Sequence, residues 1–408
     1  MSLPALRNLD MTPVNREGKT LFCLYDPEGL VEEQILLTPA AVFVASSLDG
    51  QNDVRDIQVA FARQFRGAII QSEHIEQLVR QLDELGFLAT DRFRTIEAQV
   101  RDAFAQSPTR KAYAAGKSYP ADPGELRAFL ASLFLREGGP GEAPVEPGSG
   151  PPAKAVIVPH IDFARGGHAY AHGYLGLYKG GKPRTAIVFG VAHHGPSLPF
   201  ILTRKHFETP LGTVESDQDA VGRLAAACAW DPFEHEIVHR TEHSIEFQAV
   251  MLAYLYGADV RIVPILCGPL SEDPFLTGPE SLEGVARFLA TCRDMAAAPD
   301  NRVTVIAGAD LAHVGKHFGD PFNVTQGVIR QVRARDEEDL SHVTHMEPNH
   351  FYRSVMKDHN QRKVCGLSSI YATLKTVDGA AHGGQMLCYD YAPDPAGGMV
   401  SFASVLFP

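Results

Sequence analysis

At 408 residues the chain is longer than a single hydrophobic core usually organises, so two domains are expected. Apolar residues make up 45% and charged residues 21%, the balance of a globular protein rather than a disordered one. A net charge of -12 opposes broad binding to nucleic acid or anionic membrane, and no run of about 18 apolar residues is present to span a bilayer.

Three blocks follow along the chain. Residues 1–93 open with short alternating stretches at 18–25 and 34–37. Thr38 and Pro39 then supply an N-cap and first-turn signal for a helix over 40–48, which Asp49-Gly50 ends. Asp53 caps a second helix through Phe65. Ser72 caps a third, with Ile75, Leu78, Val79, Leu82 and Leu85 at helical spacing and Gly86 as its stop, and Phe87-Leu88 begin a last strand. Small strands followed by three short helices resemble a winged helix. The Leu37-Thr-Pro-Ala40 start, the Leu48-Asp-Gly50 break and the Leu85-Gly-Phe-Leu88 ending resemble PqqD-like domains, which implies capture of a peptide or partner protein by strand addition. The alternative is a structural cap on the main domain. DNA reading is disfavoured, because the third helix carries Glu73, Glu76, Asp83 and Glu84 against only Arg80.

Residues 94–117 read as a polar helical connector. From Ser118 a third block begins, with an amphipathic stripe of Leu126, Phe129, Leu130, Leu133 and Phe134 and a Gly/Pro-rich surface loop over 137–153. Short apolar strands at 155–158, 186–189, 260–263 and 303–306 then alternate with helices, and a late strand spans 400–406. That alternation predicts an α/β fold: a central mixed sheet covered by helices on both faces.

In such folds ligands bind beyond the strand ends. The first strand runs into Pro159-His160, the second into Gly190-Val-Ala-His193-His194, and the fourth into Ala307-Gly-Ala-Asp310-Leu-Ala-His313. Arg240-Thr-Glu242-His243-Ser-Ile-Glu246 places three ionisable groups at a helix start, and Cys365-Gly366 precedes another helix. Adjacent residues of a strand point oppositely, so at most one of His193 and His194 joins a site. The bland reading is a hydrogen-bonded polar network. The sharper one is a metal site, since imidazole and thiolate suit a borderline or soft transition metal while nearby Asp and His orient ligands or move protons. No Gly-x-Ser-x-Gly nucleophile motif, phosphate loop or dinucleotide fingerprint is present, and Gly166-Gly167 and Gly383-Gly384 read as turns. The six cysteines lack CxxC spacing, and the first 16 residues lack an apolar signal core. Both point to a cytoplasmic protein with reduced thiols.

Val158-Pro-His160, His193-His194, Glu242-His-Ser-Ile-Glu246, Ala309-Asp-Leu-Ala-His313 and Cys365-Gly366 resemble, in that order, the landmarks of the Memo family, whose bacterial members are called AmmeMemoRadiSam system protein B. The resemblance spans 118–408 and leaves 1–93 outside it. It implies a fold related to the class III extradiol dioxygenases and a metal site for iron or copper, zinc being a further option. The metal ligands so implied are His160, His193 and Cys365. Asp310 and His313 match supporting residues, and Glu242, His243 and Glu246 match a charged pocket segment. These five are carried forward as the catalytic candidates. A thiolate stands where the dioxygenases have a carboxylate, which favours a softer or redox-active metal. Asp162 and Arg165 depart from the family pattern and alter pocket charge.

Three functions compete on this reading. The first is a non-haem metal oxidoreductase or redox protein acting on a small molecule or peptide in the cleft. The second is a metal-dependent hydrolase with Glu246 or Asp310 as base. The third is a non-enzymatic module whose N-terminal domain recruits a peptide or a radical-SAM partner. None involves nucleic acid or a membrane.

Overall fold

The computed structural model describes residues 2–16, 18–273, 275, 277–298, 302–394 and 396–408. The chain forms two compact units, Met1–Ser107 and Pro108–Pro408. The stretch 94–117, read above as a connector, is divided between them.

The first unit opens with β1 (Asp10–Arg16), β2 (Lys19–Tyr25) and β3 (Gln34–Leu37), an antiparallel sheet in that order. Four helices follow: α1 (Pro39–Ser46), α2 (Val54–Gln64), α3 (Ser72–Glu84) and α4 (Asp91–Gln106). The Thr38 hydroxyl accepts from the Ala41 amide, and Asp53 and Asp56 form a reciprocal capping box, satisfying amides that the first helical turn leaves unpaired. Ser72 does not cap α3. Gln71 occupies the cap position without a side-chain bond, and the Ser72 hydroxyl accepts from Gln58 instead. Leu24, Leu37, Val44, Ile57, Phe61, Ile75, Leu82 and Phe87 make the core of this unit. The expected last strand reduces to one bridge, Leu88 to Leu6.

The second unit begins with β4 (Thr109–Arg110) and α5 (Pro123–Leu135), then β5 (Ala155–Val158), α6 (Phe163–Lys179) and β6 (Thr185–Val191). Short strands β7 (Phe200–Leu202), β8 (His206–Thr209) and β9 (Gly212–Val214) precede α7 (Gln218–Ala227) and α8 (His243–Tyr256). Next come β10 (Arg261–Cys267), α9 (Val285–Ala297), β11 (Val303–Gly308) and β12 (His313–Gly315). The unit closes with α10 (Gln326–Thr344), α11 (Pro348–Met356), α12 (Leu367–Thr376), β13 (Gln385–Asp394) and β14 (Gly398–Phe407).

The main sheet runs β12-β14-β5-β11-β6-β10-β7, with β13 paired to β14, while β4, β8 and β9 form a small separate sheet. Strands β5, β11, β6 and β10 are mutually parallel, and β14 and β7 join them antiparallel. The sheet is therefore mixed. Alternate residues of each central strand enter different cores: Ala155 and Ile157 pack with α7, α9, α11 and α12, whereas Val156 and Val158 pack with α5, α6 and α8. Burial on both faces explains why these strands read as unbroken apolar runs. Gly166 and Gly167, expected in a turn, lie inside α6, where a side chain on Gly167 would run into Leu133. No helix among the described residues is long and apolar enough to cross a membrane.

The chain enters the strand-end region through a short helical turn, Glu236–Arg240, anchored by His239. Its Nε2 lies 3.0 Å from the Ile201 carbonyl, to which it donates, and its buried Nδ1 has no partner among the described residues. Burial pushes this imidazole down to about 3, so it stays neutral when folded. An unfolded chain takes up a proton there below about 6.5. The stability that neutral His239 contributes is thus full above pH 6.5 and lost as pH falls towards 3. Urea titrations between pH 4 and 6.5 should show wild-type stability falling more steeply with acid than that of His239→Gln, by about one proton or ~1.4 kcal/mol per pH unit; equal slopes would show that the folded protein protonates this ring.

Candidate metal centre

The C-terminal ends of β5, β11 and β6 bring their polar residues to one place. The amide of His160 donates to Asp310 Oδ1 at 2.9 Å, and the Ala309 amide donates to the Val158 carbonyl at 2.8 Å. His160 Nδ1 lies 2.8 Å from the Gly308 carbonyl. A carbonyl can only accept, so Nδ1 keeps its proton and Nε2 is the nitrogen that gains or loses one, and the one a metal would use. Gly308 is required here for space: a Cβ would sit 2.6 Å from the Ser244 carbonyl oxygen of α8.

His193, just past β6, is set the same way by a carboxylate. Its Nδ1 is 3.0 Å from Glu242 Oε2, and its amide donates to the same oxygen at 3.1 Å. Glu242 also caps α8 by accepting from the Ser244 amide at 3.0 Å. Burial raises the Glu242 carboxyl, but His193, His243 and the Ser244 amide outweigh it and hold it well below the usual carboxylate range. His243, the first residue of α8, stacks on His193 with centroids 5.1 Å apart and planes 6° from parallel. Burial and the neighbouring imidazoles push His243 down to about 4, against the pull of Glu242, so it is a neutral acceptor. One donor atom each from His160, His193 and His243 all lie within 4.8 Å of one another.

Cys365 approaches from the far side. Its Sγ is 3.4 Å from His160 Nε2 and 3.8 Å from the Asp310 carbonyl. Burial raises this thiol, but the imidazoles of His160 and His313, and above all the close contact with His160, overcome it and bring it down to about 5. Conversely, burial lowers His160, while Asp310 and Cys365 lift it to about 9. His193 is raised well above its ordinary value because Glu242 and Cys365 together outweigh its burial.

The loop carrying Cys365 is tightly held. His359, Asn360 and Lys363 all adopt left-handed backbone, a conformation that costs free energy in non-glycine residues and persists where surroundings enforce it. Arg362 supplies that enforcement. Its guanidinium pairs with buried Asp336 and Asp339, and its carbonyl accepts from the His313 amide at 2.7 Å. Asp336 in turn accepts from the Ser401 and Tyr389 hydroxyls, tying the loop to β13 and β14. Gly366 lets the loop touch the sheet end, since a Cβ there would lie 2.6 Å from the Asp310 carbonyl oxygen.

A cavity of about 390 Å³ opens over these groups, lined by His160, His193, His243, Asp310 and His313 together with Ile161, Phe247, Phe318 and Val400. Asp162, Arg165 and Asp394 bring charge to its rim, and His317 and Ser118 also line it. Arg165 spans the rim, 2.6 Å from Asp162 and 3.4 Å from Asp394. A larger cavity of about 590 Å³, lined by Tyr352, Tyr371 and Lys375 among others, includes none of these imidazoles or Cys365.

Of the sequence candidates, the structure gathers His160, His193, His243, Asp310, His313 and Cys365, with Glu242 behind His193. His194 is exposed and outside the cavity lining. Glu246 is elsewhere: fully buried, it pairs with Arg110 and accepts from the Tyr119 hydroxyl and, at 2.9 Å, from the Ala114 amide. Arg110 also donates to the carbonyls of His239 (2.9 Å) and Glu242 (2.8 Å). This pair fastens residues 110–119 to the start of α8 and offers no base to the cavity. Sequence reasoning missed Arg110, His317, Phe318 and Asp394. A lone Arg in a polar stretch gives no local signal of a partner 136 residues away.

The donor set fits a transition metal. Two imidazoles with committed Nδ1 atoms, and a sulfur held as thiolate, are what a borderline ion prefers. The 3.4 Å between sulfur and Nε2 is close to the roughly 3.6 Å expected of two ligands sharing one tetrahedral ion. Glu242 behind His193 and the Gly308 carbonyl behind His160 are the supporting acceptors that metal-bound imidazoles usually have.

A Memo-like protein family model matches residues 110–406. A MEMO1 family protein of Aquifex aeolicus is 26% identical over 406 residues, covering 99% of both chains, so that similarity runs through both units. A MEMO1 family protein of Methanopyrus kandleri is 30% identical over 300 residues, 72% of this chain and 96% of the relative. One from Desulfurococcus amylolyticus is 27% identical over 305 residues, 73% and 98% respectively.

The two glutamates of the α8 start should separate on mutation. Glu242→Gln is expected to weaken metal binding about 10–100-fold by loosening His193. Glu246→Gln strands the Arg110 charge and should cost about 3–5 kcal/mol of stability, with metal affinity changed little. Chelator competition and denaturant unfolding on both variants check this.

Proposed function

The chain belongs to the Memo-like protein family, and from that premise we propose that it is a metal-dependent redox protein or oxidoreductase acting in the cavity at the sheet end. His160, His193 and Cys365 would hold the ion, iron or copper by the chemistry of the donor set. The observation that carries the reading is the commitment of both Nδ1 atoms to fixed acceptors, which leaves Nε2 of His160 facing a sulfur already held as thiolate. When bound, such an ion supplies one-electron chemistry or a coordination position for a small molecule. His243, neutral beside the cavity, accepts a proton, and Asp310 and His313 orient the reacting group. Arg165 is held by two carboxylates at the rim, which fixes its position beside the cavity.

The relationship to class III extradiol dioxygenases belongs to this proposal, with Cys365 standing in for their carboxylate. Residues 1–93 would serve as a winged-helix, PqqD-like unit, binding a peptide or a radical-SAM partner along a free edge of its sheet. Three antiparallel strands followed by helices support that reading.

One observation favours a second reading. The mutual proximity of His160, His193 and His243 is also the ligand pattern of a three-imidazole zinc hydrolase, with Asp310 as base. Two variants decide between them after anaerobic loading with Fe(II), Cu or Zn. On the redox reading, Cys365→Ser loses the thiolate-to-metal absorption and most of the affinity, while His243→Gln keeps the ion. On the hydrolytic reading the pattern reverses, with zinc retained in Cys365→Ser and lost in His243→Gln. Unchanged spectra and affinity in Cys365→Ser would overturn the redox proposal.

A further inference from the structure

Outside the cleft, the structure gathers metal donors once more, where α10 gives way to α11. His342 lies in the last turn of α10. The helix ends as Met346 turns left-handed, with φ of 61°. The Glu347 amide then donates back to the His342 carbonyl at 2.9 Å, which folds Glu347 over that last turn. Pro348 opens α11 at once, and His350 stands in its first turn. Three residues scattered over nine positions and two helices are thereby brought to one point by backbone geometry.

Their side chains converge. Glu347 Oε2 lies 2.7 Å from His342 Nδ1 and 3.6 Å from His350 Nδ1. The two imidazoles stack with centroids 5.6 Å apart and planes 28° from parallel. One donor atom from each of His342, Glu347 and His350 lies within 4.8 Å of the other two. Protonating both rings around one carboxylate sets two like charges face to face. A single dication satisfies the carboxylate and both nitrogens without that repulsion. Two nitrogens and one oxygen match Zn(II), Ni(II) or Cu(II), and they mismatch Mg(II) and Ca(II), which take oxygen donors. The side chains are 30%, 43% and 61% exposed, so water completes the coordination and the ion exchanges with solvent.

We propose that His342, Glu347 and His350 form a second, solvent-exposed divalent transition-metal site that staples α10 to α11. The staple has a mechanical consequence. Helix α10 carries Asp336 and Asp339, which hold Arg362, and α11 leads directly into the loop bearing Arg362 and Cys365. An ion at the junction therefore braces the frame behind the cleft without touching it.

The test uses the full chain stripped with chelator and titrated with Zn(II) by calorimetry, with bound metal counted at equilibrium by dialysis. A His160→Ala/His193→Ala variant disables the cleft and should still bind one equivalent. Its melting temperature should rise with Zn(II) concentration, because the ion binds only the folded junction. Adding His342→Gln/His350→Gln to that variant should abolish both the equivalent and the shift, and Glu347→Gln alone should weaken both. None of these residues is buried, so the variants should fold, and circular dichroism checks it. Retention of the equivalent in the four-fold variant, or absence of any equivalent from the cleft-disabled variant, overturns the proposal. Neither result bears on whether the cleft holds a metal.

Discussion

Three hydrogen bonds between the ends of β5 and β11 carry the rest of the site. The Ala309 amide meets the Val158 carbonyl, the His160 amide meets Asp310, and the His160 ring meets the Gly308 carbonyl. The first continues the parallel ladder one step beyond the strands, and the other two add side chains to it where these leave the two cores. The ring of His160 is thereby fixed in direction with Nδ1 committed, and His193, His243 and Cys365 gather on the side of Nε2. A glycine at 308 allows α8 to come down on this point, which sets Glu242 and through it His193.

The frame around that point is built from buried charge. Arg110 with Glu246 fastens one side, and Arg362 with Asp336 and Asp339 fastens the other. A buried ion pair contributes little net stability against an apolar replacement, because desolvation offsets the attraction. Its directional hydrogen bonds do impose one geometry. Arg110 grips the carbonyls of His239 and Glu242 just before α8, and Arg362 grips the His313 amide three residues before Cys365. The polar groups of this protein thus fall into two populations, one facing the cavity and one locking the backbone that presents it.

Glu242 and Glu246 show why the two populations are hard to separate in sequence. The resemblance implies one charged pocket segment for both, and four-residue spacing on a helix does not by itself tell them apart. Glu242 is the cap of α8, however, with φ of -67° and ψ of 126°, and its side chain turns back onto the Ser244 amide and His193. Glu246 is within the first turn and faces residues 110–119. That partner segment has no apolar periodicity of its own, and its polar composition made it read as a connector. Ser72 at the α3 start and the glycine pair inside α6 were misread for a similar reason: one cap or two glycines are consistent with several backbones until packing selects one.

By itself the sequence determined the alternation of strand and helix, the two-sided burial of the central sheet and the order in which its polar landmarks leave the strand ends. These follow from apolar periodicity and from the rule that sites form beyond the C-terminal ends of parallel strands. The tertiary structure alone decided which residues meet. The nitrogen of His160 and the sulfur of Cys365 are 205 positions apart, and Arg110 and Glu246 are 136 apart. Such contacts depend on strand order, on glycine-permitted approaches of one backbone to another, and on buried charges that must find partners. None of these leaves a trace in local composition, because each is a property of two distant segments at once.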